Sequence, residues 1–155
     1  LRNGSTLDNE PNKRKAGFET GCLSHGLSYE MKILNDGDSI EEFEYFISEH
    51  IHEGTLSFDG IFCVTDRLAC HVLRTLQKLG IRVPEDVQLI GFDGIRAFGN
   101  MDYHCSTIVQ PVPDMAEMCV DLLLRENTMA KPPLVCLPVT YAHGGTTRET
   151  DAPAD

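Results

Sequence analysis

The chain has 155 residues and a formal net charge of −11, enough for one medium domain with a real core or two small lobes. That acidity argues against a direct grip on nucleic acid, which depends on a surplus of Lys and Arg. No apolar run approaches the length of a membrane span. Leu1 in place of an initiator methionine reads as the start of a fragment, so an upstream targeting segment would be out of sight.

In chain order, Leu1–Asn12 is polar and turn-rich. Lys13–Leu27 is predicted as a helix, with Pro11 near its start and Gly26 near its end. Met31–Leu34 is a short strand, and the loop "NDGDS" runs into a capping box made by Ser39 and Glu42. Ile40, Phe43, Phe46, Ile47 and Ile51 fall at helical spacing, with Gly54 ending that helix and Glu41, Glu42 and Glu44 on its solvated face. "GIFCV" (Gly60–Val64) is a strand leading into Thr65-Asp66. The next helix carries Leu68, Val72, Leu73, Leu76 and Leu79 on one stripe and ends at Gly80. A loop and a strand come next in "RVPEDVQLIGF", whose apolar run is Val87–Ile90. Ser106–Val109 is a strand, Pro113–Arg125 a helix and Leu134–Tyr141 the last strand; residues 149–155 read as a tail. This alternation predicts an α/β fold, a parallel sheet with helices on both faces.

The six cysteines, Cys22, Cys63, Cys70, Cys105, Cys119 and Cys136, have no CxxC pair, and several sit in apolar segments. They read as reduced thiols of a cytoplasmic protein and not as a secreted disulfide framework. His50 and His52, two apart on the predicted helix, point to different faces, so no metal site is expected, and no cofactor.

Ligands of open α/β sheets bind at the carboxyl ends of the strands. Asp93 in "IGFDG" lies at one such end, and Thr65-Asp66 at another. Asp-Gly is also an ordinary turn pair. Asp66 is well placed to cap the helix that begins beside it, whereas Thr65 and Asp93 have no equally good structural role.

Four stretches, "RKAGF" (Arg14–Phe18), "DGIFCVTDRLACHVLRTLQKLGIRVPEDVQLIGFD" (Asp59–Asp93), "STIVQP" (Ser106–Pro111) and "LPVTYAHGGTTR" (Leu137–Arg148), resemble the effector domain of the LacI/GalR (lactose/galactose repressor) family. The resemblance covers nearly the whole chain in the family's order. It implies a domain of the periplasmic-binding-protein type (type I), two α/β lobes around a small-molecule cleft, and here an incomplete one. Residues 1–109 and 134–148 would belong to the C-terminal lobe and 110–133 to the N-terminal lobe. The family's helix-turn-helix and hinge helix are not in this sequence, so operator DNA would be met only through a part outside it.

By the same resemblance Asp93 matches the effector-binding aspartate and Arg14 the effector-binding arginine, whose forked donors suit hydroxyl or acidic oxygens. Thr65 stands where some relatives carry asparagine. Ser39 falls near a loop position where relatives place an aromatic, which removes a stacking platform, and Gln110 is a further contact at the lobe crossing. The implied function is a ligand-responsive transcription regulator, a repressor, sensing a sugar or sugar phosphate. The implied homodimer would pair through the C-terminal lobe, with Leu68, Cys70, His71, Arg74, Phe98, Met101 and Tyr103 as candidate contacts. The rival reading is a solute-binding protein of a sugar ABC transporter. An enzyme is not expected: Asp93 and Asp66 could be imagined as an acid/base pair, but no nucleophile or metal constellation accompanies them.

Overall fold

A computed structural model describes residues 10–32, 40–95, 97–98, 101–102, 105–124 and 135–149. Helix α1 (Glu10–Ser24) carries Pro11 in its opening turn, where the missing N–H has no helical partner to lose. A left-handed Gly26 (φ 66°) closes the helix at Ser24, earlier than its periodicity suggests. The turn returns the Leu27 amide to the Cys22 carbonyl at 2.9 Å.

Helix α2 (Ile40–Glu49) buries Phe43 and Ile47. It stops before Ile51, which helical spacing had included. Instead β1 (Ile51–His52) and β2 (Thr55–Leu56) form a small antiparallel hairpin. Glu53 (φ 52°) and Gly54 (φ 80°) supply the paired positive φ angles that a two-residue hairpin turn needs. Gly54 therefore turns a hairpin and does not end the helix. The expected strand at Met31–Leu34 is not formed over Met31 and Lys32. Ile33, Leu34 and Ser39 with its capping box lie outside the described residues.

The chain continues through β3 (Gly60–Phe62), α3 (Asp66–Lys78), β4 (Gln88–Asp93), the paired short strands β5 (Ala97–Phe98) and β6 (Met101–Asp102), and β7 (Ser106–Val109). Helix α4 (Val112–Leu124) and strand β8 (Thr140–Ala142) complete it. The main sheet has the order β3-β4-β7-β8, with the first three strands parallel and β8 antiparallel to β7. The parallel α/β sheet is thus as expected except at its β8 edge. That strand begins at Thr140, not Leu134, and Pro138, with no N–H for a ladder, sits in the irregular stretch before it.

Paired residues share a face of the sheet, and neighbours along a strand alternate. Ile61, Leu89, Gly91 and Thr107 therefore face α3, while Phe62, Ile90 and Phe92 face α1. On the α1 side, Phe18 stacks on Phe62 with ring centroids 5.3 Å apart. On the α3 side lies the core, where Ile47, Val72, Leu76, Val87 and Leu89 are at most 1% exposed. Each such side chain contributes about 1.5–3 kcal/mol of burial. The buried stripe of α3 is rotated from the one its leucines suggest. Asp66, Ala69, Cys70, Val72, Thr75 and Leu76 are buried, while Leu79 is exposed. Small residues face the sheet because the helix closes on Gly91. From the far end of the chain, Thr146 ties two strands together: its hydroxyl donates to the Leu89 carbonyl at 2.6 Å and accepts from the Ser106 amide at 2.8 Å. Helix α4 is the contrast, with no buried residue at all.

His50 links α2 to the segment after α1. Its Nδ1 lies 2.7 Å from the Phe46 carbonyl and its Nε2 lies 3.1 Å from Glu30 Oε2. A carbonyl and an ionised carboxylate only accept, so the ring satisfies both as an imidazolium. The Phe46 carbonyl first, and then Glu30, raise its pKa above the ordinary 6.5. A raised folded-state pKa gives stability that is complete below the unfolded value and is lost as pH rises through the folded one. Thermal unfolding measured from pH about 6 to about 9 should show the advantage of the parent over His50→Gln shrinking as pH rises. A difference that does not change with pH would contradict the cation. Because Glu30 is exposed, added salt should weaken the effect.

Candidate functional site

Three consecutive strands end at the same edge of the sheet, and the residues at their exits build the site. Val64-Thr65 leaves β3, Asp93 ends β4 and Gln110 leaves β7. Arg14 reaches across from α1. Its Nη1 donates to the Val64 carbonyl at 2.7 Å and sits 3.1 Å from Asp93 Oδ1, and its guanidinium carbon lies 4.0 Å from the centroid of the Phe92 ring. Gln110 Nε2 donates to the same Asp93 oxygen at 2.8 Å. The Arg14 and Asp93 side chains are 16% and 20% exposed, open to a ligand yet shielded from bulk water. A pair in such a setting is screened less than one on the surface.

The backbone of Asp93 is unusual. Its φ is +124°, and Gly94 comes next at +82°. A non-glycine residue held there costs on the order of 1–3 kcal/mol, and such strain persists only where surrounding contacts determine it. Gly94 has no alternative, since an added Cβ would stand 2.8 Å from Val109 Cγ1 and 3.1 Å from its Cα. With Oδ1 of Asp93 engaged by Arg14 and Gln110, its other oxygen accepts from none of the described residues. It is free to accept from a ligand hydroxyl. Arg14, fixed by a carbonyl, a carboxylate and a ring, keeps further N–H groups for a second ligand oxygen.

The structure thus brings Arg14, Asp93 and Gln110 into one contact, with Thr65 next to the carbonyl that anchors Arg14. Ser39 lies outside the described residues. Two readings at the β3 end are corrected. Thr65, not Asp66, is the N-cap of α3: its backbone is extended (φ −146°, ψ 153°) and its hydroxyl accepts from the Leu68 amide at 3.2 Å. Thr65 therefore has the structural role that sequence reasoning denied it. Asp66 is wholly buried and reaches the other way, accepting from the Ile95 amide at 2.7 Å and from the Thr107 hydroxyl at 2.6 Å.

Among the candidate dimer contacts, Cys70 is 6% exposed and belongs to the core, so it offers no surface to a second copy, because it faces the sheet. Leu68 is partly buried against that core, His71 is half-buried and Arg74 is exposed. Phe98 and Met101 are partners in the β5–β6 pairing, and Tyr103 is outside the described residues. None of the six cysteines forms a disulfide; Cys22, Cys63, Cys70 and Cys105 are buried and Cys119 and Cys136 exposed. Burial pushes the Cys63 thiol far above its usual range, which makes it an inert core residue. No group of His, Cys, Asp and Glu suited to a metal is found among the described residues.

Sequence reasoning missed Phe92 as the platform beneath Arg14 and the Val64 carbonyl as its anchor. The alternation of β4 could have found the first, since Phe92 lies on the α1 face. The second is a backbone atom without a side-chain signature. A separate groove of about 430 Å³ between α1, α2 and β3 is lined largely by apolar side chains such as Phe18, Phe46 and Phe58. None of Arg14, Thr65, Asp93 and Gln110 lines it, so the convergent polar groups, and not this groove, mark the site.

The periplasmic binding protein-like domain model matches residues 1–147. The ribose operon repressor of Bacillus subtilis (strain 168) is 39% identical over 97 residues, 60% of this chain and 29% of that protein. The sucrose operon repressor of Pediococcus pentosaceus is 29% identical over 118 residues, 74% of this chain and 34% of that protein. This chain therefore spans about a third of the curated relatives it matches. Among solved structures, a LacI family transcriptional regulator from Arthrobacter sp. FB24, in complex with lactose, superposes with a TM-score of 0.71. It is 24% identical and covers 94% of this chain and 55% of its own.

The closeness of α3 to β4 gives a direct test. A Cβ on Gly91 would stand 2.2 Å from Asp66 Oδ1 and 3.3 Å from Ala69 Cβ. Asp66 is held at both oxygens and cannot swing aside. Gly91→Ala should lower unfolding free energy by about 1–3 kcal/mol in urea; a neutral substitution would show that the helix is not so close.

Proposed function

We propose that this chain, which belongs to the periplasmic binding protein-like domain family and within it to the LacI/GalR group, is the effector-sensing part of a bacterial, cytoplasmic, ligand-responsive transcription regulator, most simply a repressor. The observation that carries this reading is the meeting of Arg14, Asp93 and Gln110 at the carboxyl ends of three strands, with Asp93 held at a positive φ. The arrangement offers one fixed carboxylate oxygen and one fixed fork of donors, which suits vicinal hydroxyls of a sugar or a related metabolite. No chemical step is part of the reading, because the side chains are arranged to hold and not to transform. The repressor names of the relatives favour it over a transport protein of the same fold, as do six cysteines that form no disulfide.

Residues 1–109 with 134–148 form one lobe in this reading, and 110–133 reaches a second. Support comes from α4, whose Val112, Val120, Leu123 and Leu124 are all more than half exposed. An apolar helix of that kind needs a cover. A ligand held between the lobes shifts their relative orientation only by its difference in affinity for the two arrangements. Operator DNA would be contacted by a part of the protein outside this chain.

A thermal-shift panel of neutral sugars and sugar phosphates on the full-length protein tests the site. A ligand in large excess over its Kd should add about 3–4 kcal/mol. Asp93→Ala should remove the shift without comparable loss of unliganded stability, and Arg14→Lys should weaken it because a point charge cannot replace the fork. Binding unchanged in Asp93→Ala would refute the assignment.

The reading also includes a homodimer through this lobe, with Leu68, His71 and Arg74 on α3 and Phe98, Met101 and Tyr103 after β4 as its contacts. At a two-fold axis a new charge meets its own copy. In sedimentation equilibrium at micromolar concentration, Met101→Asp should shift the protein toward monomer. A variant as dimeric as the parent would rule this surface out.

A further inference from the structure

We propose that Asp66 is a positioning residue for the binding aspartate, holding the turn after β4 in the conformation that aims Asp93 at the ligand. This rests on the reading of Asp93 as an effector contact and adds to it a residue that touches no ligand. Asp66 is 0% exposed and stands in the first turn of α3. A carboxylate there is favoured by the helix N-terminus, but burial of the charge still demands hydrogen bonds. It receives them from two separate places. Oδ1 accepts from Thr107 on β7, and Oδ2 accepts from the backbone amide of Ile95.

The second bond is the informative one. Ile95 lies just beyond Asp93 and Gly94, the two residues at φ +124° and +82°. Glycine takes its angle readily, but Asp93 does not adopt +124° without constraint. The turn has one end in β4, where Asp93 pairs with Val109. Its other end is the Ile95 amide, and Asp66 holds it at 2.7 Å. Ile95 itself is 44% exposed, so its side chain is not an equivalent anchor. Without that acceptor the turn is fixed at one end only, and the strain at Asp93 can relax by rotating its carboxylate away from Arg14 and Gln110.

Thr107 separates this role from ordinary stability. Thr107→Val removes the Oδ1 partner and leaves the Ile95 bond in place. Asp66→Asn can keep both contacts. Its amide oxygen faces Ile95, and its Nδ2 donates to the Thr107 hydroxyl, whose proton can turn to the Ile108 carbonyl 3.4 Å away. Asp66→Ala removes both.

The test is a set of crystal structures of the three variants in the full-length, unliganded protein, with thermal midpoints measured alongside. All three readouts concern geometry, so the result stands apart from whether Asp93 binds an effector. In Asp66→Ala, Asp93 should leave the positive-φ region and lose its contacts with Arg14 and Gln110. In Asp66→Asn and Thr107→Val those contacts should persist, even though Thr107→Val melts earlier than the parent. An Asp66→Ala structure with Asp93 unmoved would overturn the proposal, and so would a Thr107→Val structure in which Asp93 has moved equally. Should Asp66→Ala not fold, hydrogen exchange on the unaltered protein decides. The Ile95 amide should be as protected as the amides of β4, and exchange at the free-peptide rate would overturn the proposal.

Discussion

A single buried carboxylate organises the packing of α3 on the sheet. Asp66 lies where α3, β4 and β7 meet, with no exposed surface and with one hydrogen bond to each of two other elements. A charge in that position costs several kcal/mol unless it is well paired. The packing around it reflects that need. The helix must approach the sheet closely enough for Oδ1 to reach Thr107, which requires glycine at position 91 and a small residue at Ala69. Leu68 and Leu73 of α3 are consequently only partly buried, while Ala69 meets β4 at Gly91.

The same constraint extends to the edge where Arg14, Asp93 and Gln110 meet. Thr65 caps the helix, so the exit of β3 is fixed and the Val64 carbonyl points at Arg14. Ile95 is fixed by Asp66, so the exit of β4 is fixed as well. Between these two points the Arg14 guanidinium lies on Phe92 and against Asp93. A ligand at the proposed site would meet donors and an acceptor already held in place. Preorganisation of this kind reduces the ordering that binding would otherwise have to supply. The strained φ at Asp93 belongs to the same arrangement: the backbone is held where it would not rest by itself, with the carboxylate against Arg14 and Gln110.

Much of this was legible in the sequence, for identifiable reasons. Strand β7 and the bodies of α3 and β4 are set directly by periodicity and by glycine and proline punctuation. Arg14, Asp93 and Gln110 were legible through a family resemblance, and the structure brings them into one contact. Other features depend on contacts that no local pattern encodes. Sequence reasoning made Asp66 the cap of α3, whereas its bonds to the distant Thr107 and Ile95 turn it inward and Thr65 caps the helix. Ile51 continues a helical spacing, yet the two positive φ angles at Glu53-Gly54 draw it into a hairpin. Cys70 was a dimer candidate through the family resemblance, but it is buried in the core. The antiparallel pairing of β8 with β7 is a long-range contact that hydropathy does not record.

Central to this account is a ligand hydroxyl that completes the Arg14–Asp93–Gln110 contact. A crystal structure of the full-length protein with its strongest-binding sugar tests it most directly. Ligand oxygens should lie within about 3 Å of both Asp93 and Arg14, with the Gln110–Asp93 bond intact. A sugar bound elsewhere, for example in the groove beside Phe18 and Phe46, with Asp93 untouched, would contradict it.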